Sequence, residues 1–598
     1  MFTTRPELTG TFGAVASTHY LASQCGMAVL EEGGNAFDAA VATAFVMQVV
    51  EPHLNGPGGD MPLIMRKQGE SPKVLCAQGV APMGATIEHY RSLGLDVVPG
   101  TGLLAPALPG AVPGWLTLLR DYGTRTPRQV MRFAIEYAGA GHPLIAGAAT
   151  TIDRMAGYFT ESWPTSAATW LPNGQAPQAG EVFRNPTLAA TYSRLCDEAE
   201  AAGSDREAQC DAALRAWSHG FVAEAIDAFA RQEVPDSSGA RHAGVMTGED
   251  LARWTPTYEE PLSLDWRGKT IYKCGPWSQG VVLLEQLAIL DGLLPDRLED
   301  WDAATIHSVA EAAKLAFADR DAFCGDSLDN PVDVSGLLDP AYVAQRRALI
   351  GAEASLELRP GSLNGVAGRL ASAVQVRTSY EASKVGQTVA GIGEPTIDRK
   401  GVTRGDTCHL DVVDRWGNVV SSTPSGGWLQ SSPTIPALGF ALGSRLQMTW
   451  LEEGLPSSLR PGRRPRSTLT PSLSTDEHDV TTSFGTPGGD QQDQWQLVFL
   501  LGQAIRGLNL QEAIDAPSWH SSGVVSSFDP RVWEPGVLDL ESRIPDAVID
   551  ELADRGHRIR LAGDWALGRM SAASYDPRDG LIRAGANPRG MQGYAVAR

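Results

Sequence analysis

A chain of 598 residues, 43% of them hydrophobic, has enough apolar side chain to bury a large core and is too long for one small domain. Its 70 acidic against 49 basic residues leave a formal charge of −21, which repels phosphate backbones and anionic lipid heads and excludes nucleic acid and membrane as expected partners. The N-terminal "MFTTRPELTGTFGAVAS" lacks a signal-type apolar run, and no stretch of about 18 uncharged apolar residues occurs anywhere, so the expectation is a cytoplasmic protein. The 64 glycines and 39 prolines are spread among apolar segments, the pattern of a folded chain. The 7 cysteines are widely scattered with no C-x-x-C pair, and argue for neither a disulfide framework nor a zinc site.

Residues 17–30, "STHYLASQCGMAVL", are expected to form a helix capped by Ser17 or Thr18 and ended by Gly33-Gly34-Asn35. The next helix, "AFDAAVATAFVMQVVEP", is apolar on nearly every side and should be internal, with Pro52 stopping it. "NGPGGD" (55–60) is a turn-rich loop between buried elements. Residues 110–325 are expected to be mostly helix, with 197–215 a solvated helical excursion and 308–323 a regular helix. Loops and shorter helices follow to 400. From 407 the pattern changes to strands: "CHLDVVD" alternates, Trp416-Gly417-Asn418 makes a turn, and "VVSSTPS" returns.

Within that hairpin, Thr407 directly follows Gly405-Asp406. A threonine hydroxyl is a poor nucleophile without a base beside it, and a free α-amine on the same residue, with a pKa of about 8, can be that base. Such a site requires the chain to be severed before Thr407. Attack of the Thr407 hydroxyl on the Asp406 carbonyl would do this, giving an ester that water opens. His409, two residues on, fits a structural strand residue better than a catalytic base.

Several separate motifs carry a family resemblance here. "VASTHYLASQCGMAVLEEGGNAFDAAVATAF" (15–45), "LPGAVPGW" (108–115), "EAAKLAFADR" (311–320), "GDTCHLDVVDRWGNVVSSTPS" (405–425), "PRSTLTPS" (465–472) and "GTPGGD" (485–490) occur in one order along the chain. Together they resemble the γ-glutamyltranspeptidase family of N-terminal nucleophile (Ntn) hydrolases. Thr407, His409, Val412, Asp414, Gly417 and Asn418 keep step with the family's processing signature. The resemblance implies an α/β fold, a four-layer αββα sandwich, cut into a large chain 1–406 and a small chain 407–598 that stay associated. It implies Thr407 as nucleophile, Ser425 as its hydrogen-bonding neighbour, and Gly488 and Gly489 as the oxyanion site. Glycines suit that last role physically, because they let backbone N–H groups approach a developing oxyanion. Further self-association is left open.

The departures from the family fall in the substrate pocket. Gln78, in "QGVAP", stands where family members carry a carboxylate-binding Arg, and a neutral amide does not replace a guanidinium fork. "GSRLQMT" (443–449) has no carboxylate where the family holds an ammonium, and it adds a cation, Arg445, with Met448 at the acid's place. Gly427 and Trp428 replace an Asn-containing stretch. Ser467 and Thr468, with Arg466 beside them, complete the expected substrate-binding set. The expected substrate is a small amide of a carboxylic acid lacking an α-amine, as in the oxamate amidohydrolase branch that "TPSGGWLQSSP" most resembles. A γ-glutamyl hydrolase or transpeptidase, a glutaryl acylase, and an uncut non-catalytic binding protein are the alternatives. No phosphate loop, dinucleotide fingerprint or metal-spaced cluster is apparent, and amide hydrolysis by this route needs no cofactor.

Overall fold

The computed structural model describes residues 2–326, 333–372, 374, 407–529, 531, 533–589 and 593–598. The strand Leu410–Asp414 shows how the layers arise. Leu410 and Val412 point to one face and join a helical core, while Val413 points to the other and meets a second sheet. All five residues are buried, so the alternation separates two apolar environments rather than core from solvent.

Two seven-stranded sheets result. The one carrying Thr407 runs, in spatial order, Tyr594–Ala597, Gly13–Ser17, Leu410–Asp414, Val419–Ser422, Met61–Arg66, Lys73–Ala77 and Thr257–Glu259. The other runs Leu8–Gly10, Leu581–Ala586, Ser571–Asp576, Thr481–Gly485, Ser472–Asp476, Lys269–Lys273 and Leu262–Trp266. Between them lie mostly small side chains, with Ala14, Ala16 and Val419 facing Ala573, Ile582 and Ala584. Outside the first sheet pack the helices Tyr20–Glu31, Ala36–Val50 and Ala111–Tyr122. Outside the second pack Val281–Leu290, Ala303–Phe323 and Gln492–Arg506. This is the αββα arrangement expected.

Several local expectations are corrected. The first helix is capped by His19, whose ring nitrogen accepts from the Leu21 N–H at 3.1 Å. The Ser17 and Thr18 hydroxyls are directed to the His19 carbonyl and to Glu51 instead. The second helix is buried at every position and starts from a capping box between Asn35 and Asp38. Residues 110–325 are mostly helical, but Thr257–Glu259 adds an edge strand to the first sheet, and Leu262–Trp266 and Lys269–Lys273 add the last two strands of the second. The stretch 197–215 spans two helices, Pro186–Ala201 and Arg206–Ser218, and Cys210 and Ala213 are buried, so it is not simply a solvated excursion. Among the described residues no helix is long and apolar enough to cross a membrane. The turn expected before Thr407, Asp406 included, lies outside the described residues.

Candidate active site

Thr407 begins the described part of the central hairpin and pairs with Ser425 in an antiparallel bridge, while Ser425 bridges Asp60 on its other side. The ladder is tight: Asp60 N–H donates to the Ser425 carbonyl at 2.8 Å, and Ser425 N–H donates back to Asp60 at 3.1 Å. Cys408 N–H donates to the Pro424 carbonyl at 3.0 Å, which completes the register at Thr407. The Thr407 and Ser425 hydroxyls stand 3.1 Å apart, both buried. Three backbones converge here, and Gly59 is what permits it. A Cβ on Gly59 would lie 2.1 Å from the Ser425 carbonyl oxygen.

His409 is fully committed to structure: its ring nitrogens face Thr423 Oγ1 at 2.9 Å and Asp411 Oδ2 at 3.0 Å. Asp414 holds the hairpin turn. It accepts from the Trp416 and Asn418 N–H groups and from the first N–H of the helix Ala36–Val50, and burial raises its carboxyl above the ordinary range.

Gly488 and Gly489 lie in the loop between the strand Thr481–Gly485 and the helix Gln492–Arg506, with φ of +139° and +51°. Gly485 leads into this loop against His409, where a Cβ would sit 2.3 Å from the imidazole. The loop therefore starts against the side chain of the residue two after Thr407 in the chain. It is fixed from behind by Asp490, which accepts from Arg320, from the Ser527 hydroxyl at 2.6 Å and from the Ser527 N–H at 2.8 Å. Burial opposes ionisation of Asp490, but the guanidinium groups of Arg320 and Arg466 prevail and hold its carboxyl below the ordinary range. The Gln279 side chain donates to the Gly489 carbonyl at 3.3 Å and accepts from Arg320 at 2.9 Å.

Arg445 and Trp428 line one narrow cleft together with Asp60, Gly426, Leu108 and Phe528. The Trp428 N–H donates to the Leu54 carbonyl at 2.8 Å, which fixes the indole plane. Arg445 corrects the expected charge balance. Its Nε and Nη2 donate to the two oxygens of Asp60 at 2.7 and 2.9 Å, so the added cation arrives with a counter-charge from a loop 385 residues earlier. The third nitrogen, Nη1, faces Met448 Sδ at 3.6 Å. Gln78, Ser467 and Thr468 form a separate group that does not line this cleft. Gln78 donates to the Pro465 carbonyl, and Ser467 Oγ accepts from Leu469 N–H at 3.1 Å. Sequence reasoning missed Asp60, Arg320, Asp490 and Ser527. Arg320 and Asp490 close the motifs "EAAKLAFADR" and "GTPGGD", and Asp60 closes the glycine run just before a buried strand, whereas Ser527 carried no signal.

The fold also gathers a metal-capable trio the sequence does not show, His307, Glu311 and His557. Its ligand atoms are already engaged: His307 bonds His557 at 2.9 Å and the Gly351 carbonyl at 2.9 Å, and Glu311 is paired with Lys314 and Arg359. Two cations on the one carboxylate disfavour a metal ion.

Comparison with known proteins agrees with this geometry. Residues 22–597 match the family model described as gamma-glutamyltranspeptidase. The oxamate amidohydrolase proenzyme of Klebsiella pneumoniae subsp. pneumoniae is 31% identical over 594 residues, covering 97% of each chain. The solved structure of LmbA2991HD is 53% identical with a TM-score of 0.93, covering 100% of both chains. The cephalosporin acylase from Bacillus halodurans is 27% identical with a TM-score of 0.83, covering 100% of this chain and 98% of that one. With the Thr407 hairpin inside an αββα sandwich and a family match across nearly its whole length, the chain belongs to the γ-glutamyltranspeptidase family of amide-bond-cleaving Ntn hydrolases.

Proposed function

We propose that this chain cuts itself between Asp406 and Thr407, leaving chains 1–406 and 407–598 associated, and then hydrolyses a small amide of a carboxylic acid that lacks an α-amine, oxamate being the model substrate. The observation that carries the reading is the 3.1 Å contact between the Thr407 and Ser425 hydroxyls, both buried at the base of the central hairpin.

In self-cleavage, Thr407 Oγ adds to the Asp406 carbonyl carbon, the C–N bond breaks toward the new α-amine, and water hydrolyses the resulting ester. In turnover, that α-amine takes the Thr407 hydroxyl proton as Oγ adds to the substrate carbonyl, and it returns the proton to the departing nitrogen. Ammonia or an amine leaves. Water then attacks the threonyl ester, freeing the acid and restoring the hydroxyl. The Gly488 and Gly489 N–H groups would receive the oxyanion of each tetrahedral intermediate, and Ser425 would orient Thr407. The similarity to a relative named oxamate amidohydrolase supports the acid class, and the absence of a carboxylate across 443–449 supports an amine-free substrate.

A second reading, a larger acyl group such as glutaryl, is favoured by one observation, the full-length likeness to a cephalosporin acylase. Intact-mass spectrometry of the wild type beside Thr407→Ala, followed by ammonia release from oxamate and glutarate release from a glutaryl amide, tests both steps. Two fragments meeting at 406/407 in the wild type alone are expected. One uncut mass in both proteins would overturn the reading.

A further inference from the structure

Residues 525–529 run as a bar from the Gly488–Gly489 loop to the cleft that Gly426 and Asp60 line. At one end Ser527 grips Asp490 twice, its hydroxyl donating to Oδ1 at 2.6 Å and its N–H to Oδ2 at 2.8 Å. Arg320 donates to the same carboxylate and, at 2.9 Å, to the Val525 carbonyl, so loop and bar share one anchor. At the other end Phe528 lines the cleft and packs on Met448 and on Trp428, with 6.4 Å between the two ring centroids. The Asp529 N–H donates to Gln447 Oε1 at 3.1 Å, which holds this end against the turn Arg445–Met448.

As oxyanion donors, Gly488 and Gly489 would need such an anchor. They carry no side chains through which to fix themselves, whereas a donor N–H works only at hydrogen-bond distance from the developing charge. The Gly489 carbonyl has a long bond, 3.3 Å, from Gln279, and the next residue, Asp490, is the firm point. Its buried carboxyl is held below the ordinary range by Arg320 and Arg466, so both Ser527 bonds go to an ionised group. Ser527 and Phe528 share one peptide unit, which is planar and stiff. A group that seats Phe528 therefore seats Ser527 with it, and through Ser527 the residue after Gly489.

The cleft defines what that group is. Its charged pair is closed on itself, Arg445 on Asp60 at 2.7 and 2.9 Å. Gln447 commits its oxygen to Asp529 and its nitrogen to Ser444 Oγ at 2.8 Å, and the Trp428 N–H is held by Leu54. Ala107, Leu108 and the Trp428 and Phe528 rings supply the rest of the side-chain wall, which is uncharged and apolar.

We propose that Ser527 is a positioning residue that couples this cleft to the Gly488–Gly489 loop: an uncharged apolar group of the substrate, seated against Phe528, locks Ser527 on Asp490 and so fixes the two glycine N–H groups for the reaction. This rests on the amide-hydrolase reading above and adds to it a recognition element expressed in rate rather than in affinity. The test compares oxamate with N-benzyloxamate, which share an acyl group and release amines of similar basicity, in single turnovers of enzyme whose processing is checked by intact mass. Wild type is expected to cut the benzyl amide about tenfold faster at saturation. Ser527→Ala should lower that rate about 30-fold and the oxamate rate by no more than about threefold, with half-saturating concentrations within about twofold of wild type. Ser527→Thr, which keeps the hydroxyl, should restore the benzyl-amide rate. Phe528→Ala, which deletes no atom that Ser527 or Asp490 bonds, should erase the advantage of the benzyl amide, and it serves also if Ser527→Ala fails to accumulate. Equal losses on both amides in Ser527→Ala would make Ser527 a buttress of the loop alone and overturn the coupling. A wild type that cuts both amides at one rate, or whose preference lies wholly in the half-saturating concentration, would overturn it as well and leave the hydrolase reading standing. Processed wild type inert on both amides would overturn the oxamate reading itself, and the coupling with it.

Discussion

Arg445 and Asp60 form a closed, buried ion pair, two parallel contacts of 2.7 and 2.9 Å on the wall of the cleft that Trp428 and Phe528 also line. Asp60 is also backbone-paired with Ser425, whose hydroxyl meets Thr407, so the ion pair and Thr407 share one ladder. Taking away one charge leaves the other buried and unpaired. Asp60→Ala is expected to destabilise the protein by about 3–5 kcal/mol, whereas an apolar double replacement at 60 and 445 should cost clearly less. Urea unfolding of the two variants side by side measures this, and equal losses would mean that the pair does not act as a unit.

Ser425 offers a cleaner probe of chemistry. Its hydroxyl can only orient or polarise the Thr407 oxygen 3.1 Å away. Ser425→Ala should lower kcat by roughly 10- to 100-fold, the worth of one hydrogen bond to a group that gains charge. Ser425→Thr should keep most activity. Steady-state kinetics on processed enzyme decides, and a change in KM alone would contradict the role.

Gly488 tests the oxyanion assignment. At φ +139° it occupies a conformation that side chains rarely adopt, and a Cβ there would lie 2.3 Å from the Trp495 ring. Gly488→Ala must move the loop, and with it the N–H proposed to receive the developing charge. A fall in kcat of about 100-fold or more is expected, with KM much less affected. An active alanine variant would place the oxyanion donors elsewhere.

The pH dependence of stability follows from histidines kept neutral by burial. Desolvation lowers His19 and His53 to about 3, and His142 and His520 to about 4, from an ordinary 6.5. At His520 this outweighs the attraction of Asp539, 3.3 Å away. The unfolded chain thus binds protons that the folded one refuses. The stability these groups contribute is complete above about pH 6.5 and is lost as pH falls from there toward 4, each group costing up to about 1.4 kcal/mol per pH unit. Thermal unfolding at pH 7.5, 6.5 and 5.5 should show Tm holding between the first two and dropping at the third. A Tm that rises on acidification would show that these residues are protonated in the fold.

Some of this was legible in the residues and some was not, for reasons that can be named. The hairpin at 410–422 announces itself through local rules: alternation on its first arm, a Trp416-Gly417-Asn418 turn, and an acid at Asp414 placed to accept from the turn it precedes. The helix Ala36–Val50 is legible because it is apolar all round. The strands Gly13–Ser17 and Met61–Arg66 were not, because they are buried on both faces and so lack a polar period. At the site, Thr407, Ser425 and the glycine pair come from contiguous motifs. The Asp60–Arg445 pair, and the cage of Arg320, Ser527 and Gln279 around the Gly488–Gly489 loop, join segments far apart in the chain, and no local pattern encodes them.

The strand order has a mechanical meaning. In the sheet that carries Thr407, Gly13–Ser17 is clasped between Tyr594–Ala597 and Leu410–Asp414, so a segment from before residue 406 is gripped by two from after it. In the facing sheet the grip is reversed: four strands from beyond residue 470 are held between Leu8–Gly10 on one flank and Lys269–Lys273 on the other. A break ahead of Thr407 would therefore free a chain end without freeing a chain. The two polypeptides would be woven through each other, and pulling them apart would mean unzipping both sheets at once. Such a pair should unfold as one body and, once separated, have no independent half to fall back on.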